Sequence, residues 1–393
     1  MLKVLSILGT RPEAIKMAPV IHELNSHSSR VQSVICSVGQ HREMLDQVLN
    51  LFRVKPDYEL KLMQPNQTLS QLSGWLFSAL DPVVDEVKPD WILAQGDTTS
   101  VFVAAMVAFY HKIPFGHVEA GLRSGDRQRP FPEEINRRVA DTVADLYFAP
   151  TESARQALLN EGCCSQDIFV TGNTVIDALH TIAAREYDWA AGPLGSLPLN
   201  RRLVTITAHR RESFGEPFRE LCLAIRDLAR NFNNDVHFVY PVHLNPNVVV
   251  PVREILGGLP NVSLIEPLDY LCMVHLLKRS TLILTDSGGI QEEAPGLGVP
   301  ALVMRDTTER PEGIEAGVVR LVGTRRNRIV SEATQLLTDP QAHAAMSAGV
   351  NPYGDGKAAK RIVSILLSRS ANKSQKTRMG HDDRRSDTIE TKN

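Results

Sequence analysis

The feature that most constrains this chain is an alternation, repeated along most of its length, of short apolar runs with longer amphipathic segments. Short apolar runs fit strands buried on both faces, and the amphipathic stretches between them fit helices packed on those faces. The pattern therefore calls for βαβ units and parallel sheets. In the first half the expected strands are Val4–Leu8, Val31–Ser37, Trp91–Gln95, Phe115–Val118, Tyr147–Ala149 and Ile168–Thr171, with helices such as Ala14–Leu24, Arg42–Leu51, Ser100–Tyr110 and Glu133–Ala144 between them. After a Gly/Pro/Leu-rich stretch at Ala191–Asn200 the pattern restarts with Leu203–Thr207, Val236–Tyr240, Ser263–Ile265, Thr281–Leu284, Ala301–Val303 and Arg320–Val322. A chain of 393 residues exceeds one ordinary core. The expected fold is α/β, with two Rossmann-like, doubly wound domains spanning residues 1–190 and 191–355. A last amphipathic helix is expected at Gly356–Leu367, and the polar stretch Ser368–Asn393 is expected to be disordered because it holds too little apolar surface to offset its ordering entropy.

A net charge of -2 offers no general basic footprint for nucleic acid, so any anionic ligand must be met by local positive charge. No stretch approaches transmembrane length, and Met1–Leu8 runs into a turn rather than a signal-peptide cleavage site. Cys36, Cys163, Cys164, Cys222 and Cys272 form no CxxC pair and no zinc-like spacing, and read as reduced packing residues. These signs together point to a cytoplasmic protein without membrane insertion or a metal centre.

In open parallel sheets ligands sit outside the carboxyl ends of the strands, so the loops that follow each strand hold the informative residues. After the first comes Gly9-Thr10-Arg11-Pro12-Glu13 with Lys16, where Arg11 and Lys16 are either anion ligands or an ordinary helix-start Arg and a solvated Lys. Gln95-Gly96-Asp97 places Asp97 before an apolar helix, as a helix cap or as a site carboxylate. His117-Val118-Glu119 leaves a second carboxylate at a strand end, and Glu133 opens a helix with Arg137 at i+4, as a surface pair or a third site acid. Carboxylates gathered on one rim raise one another's pKa and suit proton exchange.

In the second half, His209-Arg210-Arg211 at a strand end forms an anion-binding arrangement, with His243 after the next strand. Asp286-Ser287-Gly288-Gly289 closes a strand and opens a helix whose first N–H groups have no Cβ in front of them. That is the outline of a nucleotide-sugar diphosphate site, or else a Gly-rich turn that merely closes a βα unit. Glu292 and Glu293, one turn on, suit ribose hydroxyls better than phosphate.

Taken in order, these motifs, with Pro132-Glu133-Glu134-Ile135-Asn136-Arg137 and Arg305-Asp306-Thr307-Thr308-Glu309-Arg310, closely resemble the non-hydrolysing UDP-N-acetylglucosamine 2-epimerases over residues 3–367. The resemblance implies a fold like the GT-B glycosyltransferases, two domains facing across a cleft with the last helix returning to the first. It implies interconversion of UDP-N-acetylglucosamine and UDP-N-acetylmannosamine without a cofactor, through UDP elimination to 2-acetamidoglucal and re-addition, feeding bacterial surface polysaccharide. By the same resemblance Asp97, Glu119 and Glu133 form the acid/base group and His209 lies near the diphosphate. Arg11, Lys16, Arg137 and Arg310 surround substrate, Ser287, Gly288 and Gly289 donate to the diphosphate, and Glu293 holds ribose. A homodimer is implied, and a second UDP-N-acetylglucosamine acting as activator at Gln40 and His41.

The chain departs from the family pattern at Leu268 and Met273, where some members carry Gln and Phe in the uracil pocket. That departure leaves room for a 2-epimerase acting on a modified UDP-sugar. A GT-B glycosyltransferase and a UDP-sugar-binding sensor are the readings from other classes.

Overall fold

The computed structural model describes residues 1–39, 42–62, 64 and 66–371, apart from the side chains of 42–44. The described chain divides into one unit of Met1–Thr174 joined by residues from Lys357, and a second of Val175–Gly356.

The first unit winds through β1 (Leu2–Leu8), α1 (Arg11–Ser26), β2 (Val31–Ser37), α2 (Arg42–Phe52), a two-residue β3 (Tyr58–Glu59) and α3 (Leu69–Val87). It continues with β4 (Trp91–Gln95), α4 (Thr99–Tyr110), β5 (Phe115–Val118), α5 (Glu133–Val143), β6 (Leu146–Ala149), α6 (Glu152–Asn160) and β7 (Ile168–Val170). The seven strands lie in the order β3-β2-β1-β4-β5-β6-β7 and the recorded pairings are parallel. Val4, Leu5, Ile7 and Leu8 on β1 are almost wholly buried, as expected of a central strand covered by helices on both faces. α4 is apolar all round; Val101, Val103, Ala104, Ala105, Val107 and Ala108 lie in the core, while Phe109 and Tyr110 at its C-terminal end are exposed.

The second unit opens with α7 (Thr174–Ala183) and repeats the design. It runs through β8 (Arg202–Thr207), α8 (Glu216–Asn231), β9 (Val236–Pro241), α9 (Pro246–Leu256), β10 (Val262–Ile265), α10 (Tyr270–Arg279) and β11 (Ser280–Thr285). It ends with α11 (Gly288–Gly296), β12 (Ala301–Val303), α12 (Pro311–Glu315), β13 (Val319–Leu321), α13 (Arg326–Thr338) and α14 (Pro340–Ser347). The strand order is β10-β9-β8-β11-β12-β13.

The division falls at Thr174 rather than near residue 190, for a physical reason. α7 is tied to the second unit by Lys278 Nζ, which donates to the Ala183 carbonyl at 2.7 Å, and by His180 Nε2 at 3.2 Å from the Gly296 carbonyl. The Gly/Pro/Leu-rich stretch is likewise no loose connector, since Leu194 and Leu197 pack with Leu203, Val239, Cys272 and Leu276.

The closing helix covers residues 358–371, four residues beyond the expected Leu367. Arg361 donates to the Thr171 carbonyl at 3.0 Å, and Arg369 pairs with Asp167 at 2.8 Å while lying 5.6 Å from the centre of the Phe169 ring. Ser368–Ala371 are therefore helical and anchored, where the sequence reading began a disordered tail; residues 372–393 lie outside the described residues. Cys36, Cys222 and Cys272 are buried as expected of packing residues, whereas Cys164 is exposed. Among the described residues no helix is long and apolar enough to cross a membrane.

Candidate active site

In each sheet the winding reverses once, between β1 and β4 in the first and between β8 and β11 in the second. Crevices beyond the carboxyl ends of strands open at such reversals. The loops that leave those four strands carry Gly9–Glu13, Gly96–Thr98, Ala208–Arg210 and Asp286–Gly289, which are the motifs singled out in the sequence.

Glu119 stands just past β5 with φ +66, a left-handed conformation that a non-glycine residue holds only when its surroundings impose it. Its buried carboxylate receives Lys16 Nζ at 2.6 Å on Oε2, the Gln95 side-chain amide on the same oxygen, and the Asn173 amide at 3.3 Å on Oε1. Lys16 reaches it from the second turn of α1, whose start is fixed by Thr10 as cap and Pro12 in the first turn. Gln95 ends β4 and Asn173 follows β7, so four elements converge on one carboxylate.

Asp97 does not cap α4; Thr98 holds the cap position, and its hydroxyl donates instead to Glu13 Oε1 at 2.7 Å. The Asp97 carboxylate pairs with the Arg137 guanidinium, and its carbonyl accepts from the Asn136 amide at 3.0 Å. Arg137 has Glu134 as a second partner at 3.4 Å, so the expected surface pair of Glu133 with Arg137 is replaced by contacts with Asp97 and the buried Glu134. Asp97 and Glu119 thus each face their own cation. Glu133 occupies the first position of α5, and its Oε2 is buried with no hydrogen-bond partner among the described residues.

Two buried groups brace these loops from behind. Glu13 accepts the Gly9 N–H at 2.7 Å and the Thr98 and Thr10 hydroxyls at 2.7 and 3.1 Å. Burial pushes its carboxyl up to about 7 against the lowering effect of those bonds. Gly9 is required here, because a Cβ would lie 2.4 Å from Ser100 Oγ. His117, wholly buried, lies 2.6 Å from Asp141 and 2.7 Å from the Gly96 carbonyl. Arg11 is exposed at the first position of α1.

In the second unit Asp286 is the organiser. Its fully buried Oδ2 accepts the His209 and Arg210 N–H groups at 2.6 and 2.7 Å, holding the loop after β8 against the loop after β11. The His209 ring stacks on His243 with centroids 5.1 Å apart and planes 5° from parallel, and lies 3.7 Å from Asp286 Oδ1. Burial, with His243 and Arg210 nearby, holds the His209 pKa below its ordinary value although Asp286 opposes the shift.

Ser287 caps α11 without a side-chain bond, and Gly288 and Gly289 fill its first turn. A Cβ on Gly288 would come 2.8 Å from Glu309 Oε1 and 3.5 Å from Arg210 Nη2, whereas one on Gly289 would touch almost nothing. The positive end of α11 therefore has the Arg210 guanidinium close beside it, an arrangement suited to anions. Arg305 is held by Glu212 at 2.7 Å and Glu309 at 2.8 Å. Arg310 pairs with buried Glu292. Glu293 lies against the Tyr270 hydroxyl, whose pKa burial and then the Glu293 charge hold well above its ordinary value.

Leu268 and Met273 are half-buried, Leu268 packed against the cluster that contains Leu203 and Leu276 and Met273 against the one that contains Leu277 and Ile290. Gln40 and His41 lie outside the described residues. Glu13, Gln95, His117 and Asp286 lie within the sequence motifs but have no role assigned from the sequence alone, and Asn173 lies outside the motifs. Their signal was only that each is a polar residue at or beside a strand's carboxyl end.

A family model described as UDP-N-acetylglucosamine 2-epimerase matches residues 22–367. The UDP-N-acetylglucosamine 2-epimerase of Yersinia pestis is 52% identical over 371 residues, covering 93% of this chain and 98% of the relative. That of Escherichia coli strain K12 is 51% identical over 373 residues, with 93% and 98% covered. The crystal structure of the Neisseria meningitidis UDP-GlcNAc 2-epimerase bound to UDP-GlcNAc is 47% identical and superposes with a TM-score of 0.84, covering 93% of this chain and all of that one. The chain belongs to the UDP-N-acetylglucosamine 2-epimerase family.

Proposed function

We propose that this protein interconverts UDP-N-acetylglucosamine and UDP-N-acetylmannosamine at C2, with Asp97, Glu119 and Glu133 as the acid/base groups. The observation that carries the reading is the caged carboxylate of Glu119, fixed by Lys16, Gln95 and Asn173 at a left-handed strand end beside the Asp97 loop.

The C2 proton of the sugar has no adjacent carbonyl and does not leave alone. Elimination solves this: a carboxylate takes the C2 proton, the C2–H electrons form the C1–C2 double bond, and the C1–O bond breaks with its pair leaving on UDP. The product pair is 2-acetamidoglucal and UDP. Re-addition returns the UDP oxygen to C1 while a carboxyl group delivers a proton to C2 from the opposite face.

Departing diphosphate gathers negative charge, and preorganised donors stabilise it at the transition state. The N-terminus of α11 with Ser287, Gly288 and Gly289 supplies backbone donors, and His209 and Arg210 lie on the loop that Asp286 orients. Arg11, Lys16, Arg137 and Arg310 contribute positive charge, and Glu293 hydrogen-bonds the ribose. Lys16 and Arg137 also hold Glu119 and Asp97 ready for proton transfer.

The reading extends to a homodimer and to activation by a second UDP-N-acetylglucosamine at the segment of Gln40 and His41. Sedimentation of the purified protein tests the first, and the dependence of rate on substrate concentration, sigmoidal for an activated enzyme, tests the second. Incubation with UDP-N-acetylglucosamine and chromatography of the products tests the activity itself. A UDP-N-acetylmannosamine peak supports it. Turnover only of a modified UDP-sugar, or sugar transfer to an acceptor, overturns it.

A further inference from the structure

Between the two carboxylate loops lies a histidine whose ring has two partners that can only accept. His117 Nδ1 is 2.6 Å from Asp141 Oδ1, and Nε2 is 2.7 Å from the Gly96 carbonyl oxygen. Beside an ionised Asp141, a neutral imidazole with its one N–H would leave one of these contacts as two lone pairs facing each other, and only the doubly protonated ring satisfies both. A protonated Asp141 donating to Nδ1 of a neutral ring would make the same two contacts, but the surroundings of Asp141 disfavour it. Its other oxygen accepts from Arg123 at 2.7 Å and from the Gly121 N–H at 3.3 Å, contacts that favour the carboxylate.

We propose that His117, held as an imidazolium by Asp141, is a positioning residue for the epimerisation: its second N–H grips the Gly96 carbonyl and fixes the loop that carries Asp97 relative to the strand end that carries Glu119. The inference rests on the proposed function for its consequence, and on geometry for the protonation state. Gly96 immediately precedes Asp97, and Glu119 follows His117 by two residues, so one ring spans both acids. The Gly96 N–H in turn donates to the Val118 carbonyl at 3.0 Å, which closes the link between the loops.

The groups facing His117 are few. Asp141 comes from α5; Arg123, from the loop after β5, stands behind Asp141 with Glu161 at 2.6 Å; Gly96 presents only its carbonyl; and the Phe115 ring lies 6.0 Å away. Burial and Arg123 oppose the charge, and the Asp141 charge with its hydrogen bond outweighs them, so His117 titrates above its ordinary value. The grip is therefore held below the folded-state pKa and is lost as pH rises through it.

The test begins with the full chain labelled with ¹⁵N-histidine, the His117 signals being assigned by their loss in His117→Gln. Both ring nitrogens protonated at pH 7.5 is the expected result; a neutral tautomer there overturns the proposal, whether or not the protein epimerises UDP-N-acetylglucosamine. His117→Gln should lower kcat by about tenfold or more with KM little changed, and should lose the alkaline fall of kcat expected of the wild type. Unchanged kcat in a folded variant overturns the positioning role. Asp141→Asn, which keeps an acceptor but removes the charge, should move the alkaline limb of kcat to lower pH. That shift decides the matter if His117→Gln does not fold, and its absence counts against the proposal.

Discussion

Glu13 makes the pH dependence of stability a direct reading of the brace behind the first-unit loops. Its carboxyl is wholly buried and pushed from an ordinary 4.5 to about 7 by that burial. Below about pH 4.5 the group is protonated in both folded and unfolded chains. Between pH 4.5 and 7 the unfolded chain releases the proton while the folded one keeps it, so this group lowers stability by about 1.4 kcal/mol per pH unit. Across the window the loss amounts to roughly 3 kcal/mol, and above pH 7 it is constant.

Glu13→Gln removes the titration while keeping the geometry. The amide oxygen can accept the Gly9 N–H, and the amide nitrogen can donate to the Thr98 and Thr10 hydroxyls, which rotate to accept. Urea unfolding followed by the fluorescence of Trp75 and Trp91, both in the first unit, measures the difference between wild type and variant at pH 5 and pH 8. The variant should gain roughly 2–3 kcal/mol on the wild type between those pH values. A difference that does not change with pH would refute the reasoning, because a buried, proton-holding Glu13 cannot produce it.

Three further outcomes follow from the same geometry. Asp97→Asn and Glu119→Gln should each lower kcat by about two to four orders of magnitude with the fold intact by circular dichroism, and near wild-type turnover would remove the residue from the acid/base group. Gly288→Ala should raise KM for the UDP-sugar by about tenfold while leaving the melting temperature within a few degrees, because the new methyl meets only the ends of the Glu309 and Arg210 side chains yet covers the N-terminus of α11. His209, with its pKa depressed mainly by burial, should titrate by NMR below 6.5 in the free protein and move upward when UDP is added; a midpoint unmoved by UDP would place it away from the diphosphate.

Most strands were legible because buried parallel strands leave uninterrupted apolar runs, and Val31–Ser37, Trp91–Gln95, Phe115–Val118 and Ala301–Val303 match residue for residue. β3 was not, since Tyr58–Glu59 is a two-residue edge strand whose pairing is decided by β2 rather than by its own pattern. α3 was readable but passed over: Thr68 and Gln71 form a capping box before it, whereas Pro82 inside the helix interrupts the usual signal. At the site, strand-end polar residues could be found by position, and their partners could not. Nothing local in the sequence says that Arg137 turns to Asp97, that Thr98 abandons its capping bond for Glu13, or that Asn173 reaches Glu119 across 54 positions. Those pairings come from the sheet order, which brings β1, β4 and β5 side by side.

In the proposed reaction, carboxylates on the first unit exchange the C2 proton of a UDP-sugar. Its most direct test is a proton NMR time course of the purified protein with UDP-N-acetylglucosamine in D2O. UDP-N-acetylmannosamine should appear with deuterium at C2, and deuterium should also enter C2 of the recovered substrate as the reaction reverses. A new epimer that keeps its original C2 hydrogen, or a folded protein that leaves both sugar and C2 hydrogen untouched, would contradict it.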